Sequence, residues 1–351
     1  MEELHYGKIR ARRLTDIYAG KKIQYIDMTK IDDYPALLRS LAPDDELVLC
    51  GGDGTLNRFV NDMETAEIHR SILYYPVGSG NDFAHDLGMQ GEDKPFDISL
   101  YLHALPCVFV NGKKYRFLNG IGYGIDGYCC EVADGLRQKS GKPINYTAIA
   151  VKGLLFHYKP TKAKVTVDGV CRTYEKVWLA PTMNGRFYGG GMMPTPQQNR
   201  LCSQSLSVMV LHGSGKVKTL AAFPSIFEGK HIQRRDMVEI RTGGRITVKF
   251  DRPTALQIDG ETVVNVTSYQ AVAAACDAGT TAFRPSTSRR SFAARLFLSL
   301  AAKGTSCSCA RSARPEHDSG SGLQPLLAAY TRRCGCDRKG PAAPSCIPAE
   351  V

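Results

Sequence analysis

The hydrophobic positions of the first hundred residues follow two periodicities in turn. Short apolar runs, KKIQYIDM (21–28), ELVLC (46–50) and ILYYPV (72–77), predict strands. Between them, apolar residues at i, i+3, i+4 and i+7, as in LNRFVNDM (56–63), predict helices. Alternating strands and helices are typical of a parallel sheet, so we expect residues 1–100 to form an α/β domain.

The pattern changes after residue 100. Short β-rich segments separated by DG and GG turns predict an antiparallel β-sandwich domain over residues 101–270, and a helical stretch at 145–157 interrupts it. Residues 271–351 are rich in Ala, Arg, Ser and Gly with little periodicity. We interpret them as an irregular, low-complexity basic tail, either disordered or read in an altered frame. A weaker alternative makes 288–303 a basic amphipathic helix at a membrane.

A glycine-rich turn follows the strand predicted at 46–50. The segment GGDGTLN (51–57) places Asp53 among three glycines, directly before a helix pattern. Glycines let a ligand approach the backbone, and N–H groups at a helix N-terminus bind phosphate. A carboxylate there would repel phosphate unless a divalent cation lies between them, and magnesium prefers that ligand set. The alternative is that Asp53 only caps the helix that follows.

A second glycine-rich turn, GSGND (78–82), follows the next predicted strand. Because the carboxyl ends of parallel strands meet at one edge of a sheet, we expect the two turns to lie side by side and to form the ligand site. Ser79 could donate to a phosphate. Asn81 and Asp82 could bind nucleotide or metal, or cap the helix that follows.

The third motif is DGE (259–261), at the end of the strand-like segment TALQI. Its spacing alone favours an ordinary hairpin turn. The chemical alternative is a carboxylate that accepts the proton of an attacking hydroxyl, because phosphoryl transfer otherwise needs only a metal and positioning. Glu261 and Asp259 are the candidates for that role.

Two other glycine motifs predict no nucleotide site. GSGKVKT (213–219) resembles a P-loop but carries Val217 where the motif needs Ser or Thr. GYGIDG (122–127) matches G-x-G-x-x-G, but the acidic residue expected about 20 positions later is missing.

Charge and composition narrow the function classes. The 351-residue chain has a net charge of +11, which suits an anionic substrate or membrane surface. No basic run with interleaved aromatics predicts nucleic-acid binding. The sequence shows no apolar run of transmembrane length and no secretory signal, so we expect a cytoplasmic protein. Its twelve cysteines lack the context for disulfides and the spacing for zinc.

Taken together, these motifs are similar to the diacylglycerol kinase catalytic-domain family, that is, the bacterial soluble lipid kinases and their sphingosine kinase relatives. GGDGTLN matches at 51–57, and PVGSGNDFA (76–84) resembles the family's second turn, with Ser79 for the usual Thr. GIGYGIDG (120–127), NGRFYGGGMMPTP (184–196) and QIDGE (257–261) follow in the family's order and spacing.

The resemblance implies an ATP- and magnesium-dependent lipid kinase, most simply one that converts diacylglycerol to phosphatidic acid. Magnesium would lie at Asp53 and Asp82, and the catalytic carboxylates would be Glu261, Asp259 and Asp53. The lipid would enter the second domain from the inner membrane surface, and a homodimer stays open. The implied ATP contacts are Gly51, Gly52, Asp53, Gly54, Thr55, Leu56, Asn57, Gly78, Ser79, Gly80, Asn81, Asp82 and Thr29.

Three departures from the family pattern bear on activity. The usual first strand, with its Asn-Pro-x-x-G turn, is not recognisable near the N-terminus. The acidic D-D-G-x-L segment, which serves a second, structural magnesium, appears as residues 202–206 without a carboxylate. The tail at 271–351 stands where the family chain returns to its first domain. The alternatives are therefore an NAD kinase-like enzyme, which shares GGDGT, or an inactive nucleotide- or lipid-binding relative.

Overall fold

The computed structural model describes residues 13–63, 70–89, 94–139, 144–201, 204–274 and 294–298. For 294–298 only the backbone is described, and the side chain of Thr29 is likewise left out. Two sheets organise these residues, and none of the described helices is long and apolar enough to cross a membrane.

The first sheet has five strands and confirms the predicted α/β domain. The strand bounds are Ile23–Asp27 (β1), Glu46–Gly51 (β2), Ile72–Pro76 (β3), Phe96–Asp97 (β4) and Ala294–Leu298 (β15). Their spatial order is β1, β15, β2, β3 and β4. The sheet is mixed, because the short edge strand β4 runs antiparallel to its neighbour while the other strands are parallel.

Short helices flank this sheet. Residues 13–17 are helical, a 3-10 turn at Met28–Lys30 follows β1, and the predicted apolar stripe of the second helix packs onto the sheet through Leu56, Phe59 and Val60. The remaining bounds are Tyr34–Ser40 (α1), Asp53–Asp62 (α2), Asp82–Asp86 (α3) and Ser99–Leu102 (α4).

Strand β15 comes from within the segment predicted as an irregular tail. Its five residues pair in parallel with β1 on one side and β2 on the other, so they close the gap between those strands. The alternative of a membrane-bound helix over 288–303 is therefore wrong for residues 294–298. The predictions of disorder or an altered frame for the rest of 271–351 lie almost wholly outside the described residues.

The second sheet has ten antiparallel strands among the described residues, as predicted for the β domain. Its bounds are Cys107–Val110 (β5), Lys113–Arg116 (β6), Gly120–Tyr123 (β7), Thr161–Val167 (β8), Val170–Val177 (β9), Thr182–Met183 (β10), Leu206–Leu211 (β11), Val238–Gly243 (β12), Arg245–Ile258 (β13) and Glu261–Val272 (β14).

The long strand β13 joins the two halves of this sheet. Its first half pairs with β8 and its last three residues pair with β7, while β14 pairs along most of its length. Register shifts between Lys249 and Leu256 bend the strand at the change of partner. The sheet thus folds around a core that includes Val165, Val248 and Leu256.

The second domain contains more helix than the sequence indicated. The predicted stretch at 145–157 forms α6 (Tyr146–Lys152) and a π-helical turn (Gly153–His157). Two further helices were missed: α5 (Ile125–Lys139), which begins inside GYGIDG, and α7 (Lys216–Ala222), which begins inside GSGKVKT. The 3-10 turns Phe223–Ile226 and Lys230–Gln233 follow α7.

Candidate active site

The two glycine-rich turns lie side by side at the carboxyl edge of the first sheet, as predicted. The Val77 amide donates to the Gly51 carbonyl at 3.0 Å. A Cβ added to Gly78 would lie 2.5 Å from the Gly52 Cα, so only glycine allows the backbones to approach this closely. The two turns therefore form one continuous surface of backbone.

Asp53 does not cap the helix that it begins. Gly52 is the N-cap of α2, whereas the Asp53 carboxylate accepts hydrogen bonds from the amides of Asp82 and Phe83, each at 2.9 Å. It thus caps α3, the helix after the second glycine turn. A third donor is the Asn119 side chain, also at 2.9 Å, which belongs to the segment before β7.

Asp82 reaches across to the glycine run of the second domain. Its two carboxylate oxygens accept from the amides of Gly190 and Gly191 at 2.8 and 2.7 Å. The run 189–191 has positive φ at all three glycines, which turns both amides toward the carboxylate. The turn before Asp82 is closed by Asn81, whose side-chain amide bonds both the N–H and the carbonyl of Gly78.

Asp259 is held by four donors. Its carboxylate accepts from Asn57 Nδ2 and from the amides of Leu118, Asn119 and Gly120 at 2.6 to 3.0 Å. A carboxylate has about four acceptor positions, and these bonds occupy them. Asp259 thereby holds the start of β7 against α2. The catalytic role expected for Asp259 stays a prediction.

A buried ion cluster completes the junction between the domains. Asp86 on α3 accepts from Arg200 Nε at 2.5 Å and from Arg186 Nε at 2.7 Å. Arg200 is buried, lies over the Phe83 ring, and donates to Asn119 Oδ1 at 3.0 Å. The sequence analysis missed Asn119, Arg186 and Arg200. The one available signal was that Arg186 lies inside the motif NGRFYGGG.

The remaining predicted site residues are Glu261, Ser79 and Thr29. Glu261 is exposed at the start of β14, opposite Ile258 in the hairpin. It is one of the carboxylates near Cys130 on α5, whose pKa is raised to about 12, chiefly by burial. Ser79 is exposed in the second turn. The side chain of Thr29, in the turn after β1, lies outside the described residues.

Burial and neighbouring charge raise the pKa of two carboxyl groups at this junction, Asp82 and Asp259. Burial first, and then the neighbouring Asp53, raise the pKa of Asp82 to about 7, although the Gly190 and Gly191 amides oppose the shift. Burial likewise raises the pKa of Asp259, against its four hydrogen bonds. A cation bound beside Asp53 and Asp82 would favour the ionised form of Asp82.

Asp53 and Asp82 suit a divalent cation that also contacts phosphates. A Cβ at Gly80 would lie 3.6 and 3.7 Å from the Oδ2 atoms of the two carboxylates, so the missing side chain keeps them uncovered. By the same count of acceptor positions, Asp53 has about one left and Asp82 about two. Magnesium needs only one or two protein carboxylates when phosphates and water complete its shell. The described residues contain no cluster of three or more metal-ligating side chains.

Asp126 links α5 to the glycine run. Its carboxylate accepts from the Tyr188 hydroxyl at 3.1 Å, and burial raises its pKa to about 6. Tyr188 pairs with Met192 through both backbone groups, which closes the loop around 189–191. The sequence analysis did not identify this support for the loop that holds Asp82.

Two family models match the chain. The diacylglycerol kinase catalytic domain matches residues 9–104, and the YegS C-terminal NAD kinase beta sandwich-like domain matches residues 119–276. Together the two matches contain the glycine turns, Asn119, the glycine run and the DGE turn.

The chain is also similar to individual proteins and to a solved structure. The chain is 24% identical to a diacylglycerol kinase of Mycobacterium tuberculosis over 216 residues, which cover 60% of this chain and 67% of that protein. It is 26% identical to a diacylglycerol kinase of Bacillus subtilis over 221 residues, 62% of this chain and 71% of that protein. A crystal structure of a diacylglycerol kinase from Bacillus anthracis aligns at 18% identity with a TM-score of 0.43, covering 72% of this chain and 94% of that one.

Proposed function

The chain belongs to the diacylglycerol kinase catalytic-domain family of lipid kinases, and from that premise we propose that it transfers the γ-phosphate of ATP to the hydroxyl of diacylglycerol, giving phosphatidic acid. The observation that carries the proposal is the contact of both glycine turns with Asp53, which Asn119 ties to the second domain. An ATP phosphate bound at the turns would thus lie at the domain junction.

The turns supply the phosphate-binding groups. The backbone of 51–57 leads into α2, a helix of ten residues whose first amides carry partial positive charge. Glycines at 52 and 78 allow the two turns to pack together, so their backbone groups line one surface. Ser79 lies in the second turn as the hydroxyl donor. Thr29 stays a proposed further contact.

Asp53 and Asp82 are the residues that would hold magnesium. Magnesium, when bound, would neutralise charge on the phosphates. The chain's own contribution is orientation: α3 fixes Asp53 through two amides, and the glycine run fixes Asp82 through two more. Both carboxylates therefore keep their direction when the nucleotide leaves.

Glu261 is the proposed proton acceptor. Asp259 shares its tight turn and is locked by four hydrogen bonds, so the backbone that presents Glu261 is fixed relative to Asn57 and Asn119. Glu261 itself is exposed, which leaves its carboxylate accessible to an entering hydroxyl. We propose that it takes the hydroxyl proton as the phosphoryl group is transferred.

A buried apolar cluster supports the glycine run. Tyr188 and Met192 of the loop belong to it, together with Met183, Met209 and Met237. It thus holds the loop whose Gly190 and Gly191 amides bind Asp82.

The test is an acceptor competition. The intact chain receives labelled ATP, magnesium and an equimolar panel of diacylglycerol, a sphingoid base, phosphatidylglycerol and a polyprenol in mixed micelles, with NAD in the aqueous phase. We expect label in phosphatidic acid. Label in another lipid would reassign the acceptor, and label in NADP would refute lipid phosphorylation. ATP binding with no labelled product would indicate an inactive relative.

A further inference from the structure

Three exposed apolar side chains of the second domain lie on neighbouring helical segments. Phe156 in the π-helical turn is 72% exposed, Val217 at the start of α7 is 78% exposed, and Val151 on α6 is 38% exposed. Burial of a large apolar side chain stabilises a protein by about 1.5–3 kcal/mol, so exposure of Phe156 is costly unless something covers it.

The three residues belong to one face. The Lys216 Nζ donates to the Leu155 carbonyl at 2.7 Å, which ties the residue before Val217 to the residue before Phe156. Beneath them, Leu154 packs in the buried cluster that Leu220 of α7 also contacts. The segments that carry Phe156 and Val217 are thus held together by the core and by a hydrogen bond. The two segments therefore form one surface and not two separate loops.

Cationic side chains surround this face. Lys152, Lys159 and Lys216 are exposed and have no acidic ion-pair partner among the described residues, whereas Lys218 is paired with Asp236. His157 is exposed beside Phe156. We call Val151, Phe156, Val217, Lys152, Lys159 and Lys216 the docking face.

A recess opens directly after Phe156 in sequence. It has a volume of about 250 Å³, and His157, Tyr158, Lys159 and Arg252 are among its lining residues. The Tyr158 hydroxyl is buried and has no hydrogen-bond partner among the described residues. The lining also includes the carboxylate of Glu131, so Lys159 and Arg252 give the recess an excess of one cationic side chain beside the docking face.

We infer that the docking face binds the surface of a bilayer that contains anionic phospholipids. Apolar side chains that project from a ring of lysines can enter the acyl boundary while the lysines contact anionic headgroups. Charge complementarity selects this occupant: a second copy of this chain would bring the same lysines against each other. The inference rests on the proposed function in one respect only, because a lipid acceptor would be delivered from such a surface.

The test measures binding of the intact chain to vesicles by cosedimentation, without nucleotide. We expect binding to vesicles of phosphatidylcholine with phosphatidylglycerol, and much weaker binding to phosphatidylcholine alone. Phe156→Ser with Val217→Ser should lower the partition coefficient by about tenfold for each residue. Lys152→Gln with Lys216→Gln should lower it by about fivefold for each lysine.

Matched controls use exposed residues elsewhere on the second domain. Val170→Ser with Val264→Ser alters two valines that are 61% and 48% exposed, and Lys113→Gln with Lys249→Gln removes the same charge as the lysine variant. Both controls should bind vesicles as the unaltered chain does. Thermal unfolding of every variant excludes misfolding as the cause of a lost signal.

Measurements of turnover distinguish a failure of docking from a failure of the proposed function. The docking variants should phosphorylate a short-chain, monomeric diacylglycerol at the unaltered rate but lose turnover on vesicles. If the intact chain binds vesicles yet phosphorylates neither acceptor, the proposed function fails while docking stands. Docking is overturned if the intact chain does not bind anionic vesicles, or if the control variants lose binding as much as the docking variants do. It is also overturned if the only effect of the serine variant is a loss of self-association, measured by light scattering.

Discussion

Asp53 holds three parts of the molecule with one carboxylate. Two of its donors are amides of α3 and the third is Asn119, so both glycine turns and the segment before β7 depend on it. A carboxylate amid glycines is therefore both a structural centre and a candidate metal ligand. Asp259 has a similar structural role, because four donors fill its acceptor positions.

The variant Glu261→Gln tests whether Glu261 accepts the proton of the acceptor hydroxyl. The amide keeps the side-chain shape but cannot accept the hydroxyl proton, so we expect kcat to fall by about 10²–10⁴-fold. The affinity for ATP, measured by calorimetry, should stay unchanged, because the proposed role of Glu261 is to act on the acceptor hydroxyl and not to bind the phosphates. Near-normal turnover would show that another group takes the proton.

Asp82 should make stability depend on pH. Its pKa is about 7 in the fold against an ordinary value of 3.8, so between these values the folded chain holds a proton that the unfolded chain has lost. The free energy of unfolding should therefore fall as pH rises from about 4 to about 7 and then level off. Chemical denaturation across that range checks this prediction.

Asp82→Asn provides the control for the pH experiment. The variant should flatten the part of the decline that belongs to Asp82, and the part caused by Asp126 should remain. Magnesium with ATP should also reduce the decline in the unaltered chain, because a cation favours the ionised carboxylate. An identical pH profile in the variant would refute the shifted pKa.

At the scale of elements, the two glycine turns depend on a close backbone contact. A Cβ at Gly78 would lie 2.5 Å from the Gly52 Cα, whereas a Cβ at Gly54, inside α2, would meet nothing within 4 Å. Gly78→Ala must push the turns apart, and we expect it to cost about 1–3 kcal/mol of unfolding free energy.

Gly54→Ala is the matched control for that change. It should leave stability equal or raise it by up to about 1 kcal/mol, because alanine favours helix. Urea unfolding of both variants without nucleotide compares them directly. Equal stability of the two variants would contradict the close packing of the turns.

The sequence predicted these turns because both follow parallel strands, whose ends share one edge. Helix α5 escaped prediction since Gly127 and Gly135 interrupt its pattern, and its buried side of Ile125, Cys129 and Ala133 is built largely from small residues. Strand β15 was missed for another reason. Its place between β1 and β2 depends on pairing with strands more than 240 residues earlier, which no local pattern reveals.

At the scale of the whole molecule, carboxylates of the first domain bind donors of the second. Asp53 bonds Asn119, Asp82 bonds the glycine run and Asp86 bonds Arg200, so the domain junction is itself the candidate site. Sequence alone predicted that the turns that carry Asp53 and Asp82 lie together, but it could not supply Arg200, because an isolated arginine distant in sequence carries no motif.

Removal of Arg200 should uncouple this junction. Arg200→Met leaves the buried Asp86 with one partner, and we expect a loss of about 3–5 kcal/mol of unfolding free energy. Arg186→Met is the control, because Arg186 is 39% exposed in the same cluster and should cost no more than about 1 kcal/mol. Denaturant titration separates the two outcomes, and equal losses would contradict the buried role of Arg200.

The most direct measurement of the central claim is transfer of labelled γ-phosphate from ATP to diacylglycerol in mixed micelles by the intact chain and by Asp53→Asn. The account predicts labelled phosphatidic acid from the intact chain and at least a hundredfold less from the variant, about the loss expected when one charge-stabilising group is removed. Undiminished transfer by Asp53→Asn, or bound ATP without any labelled lipid from the intact chain, would contradict it.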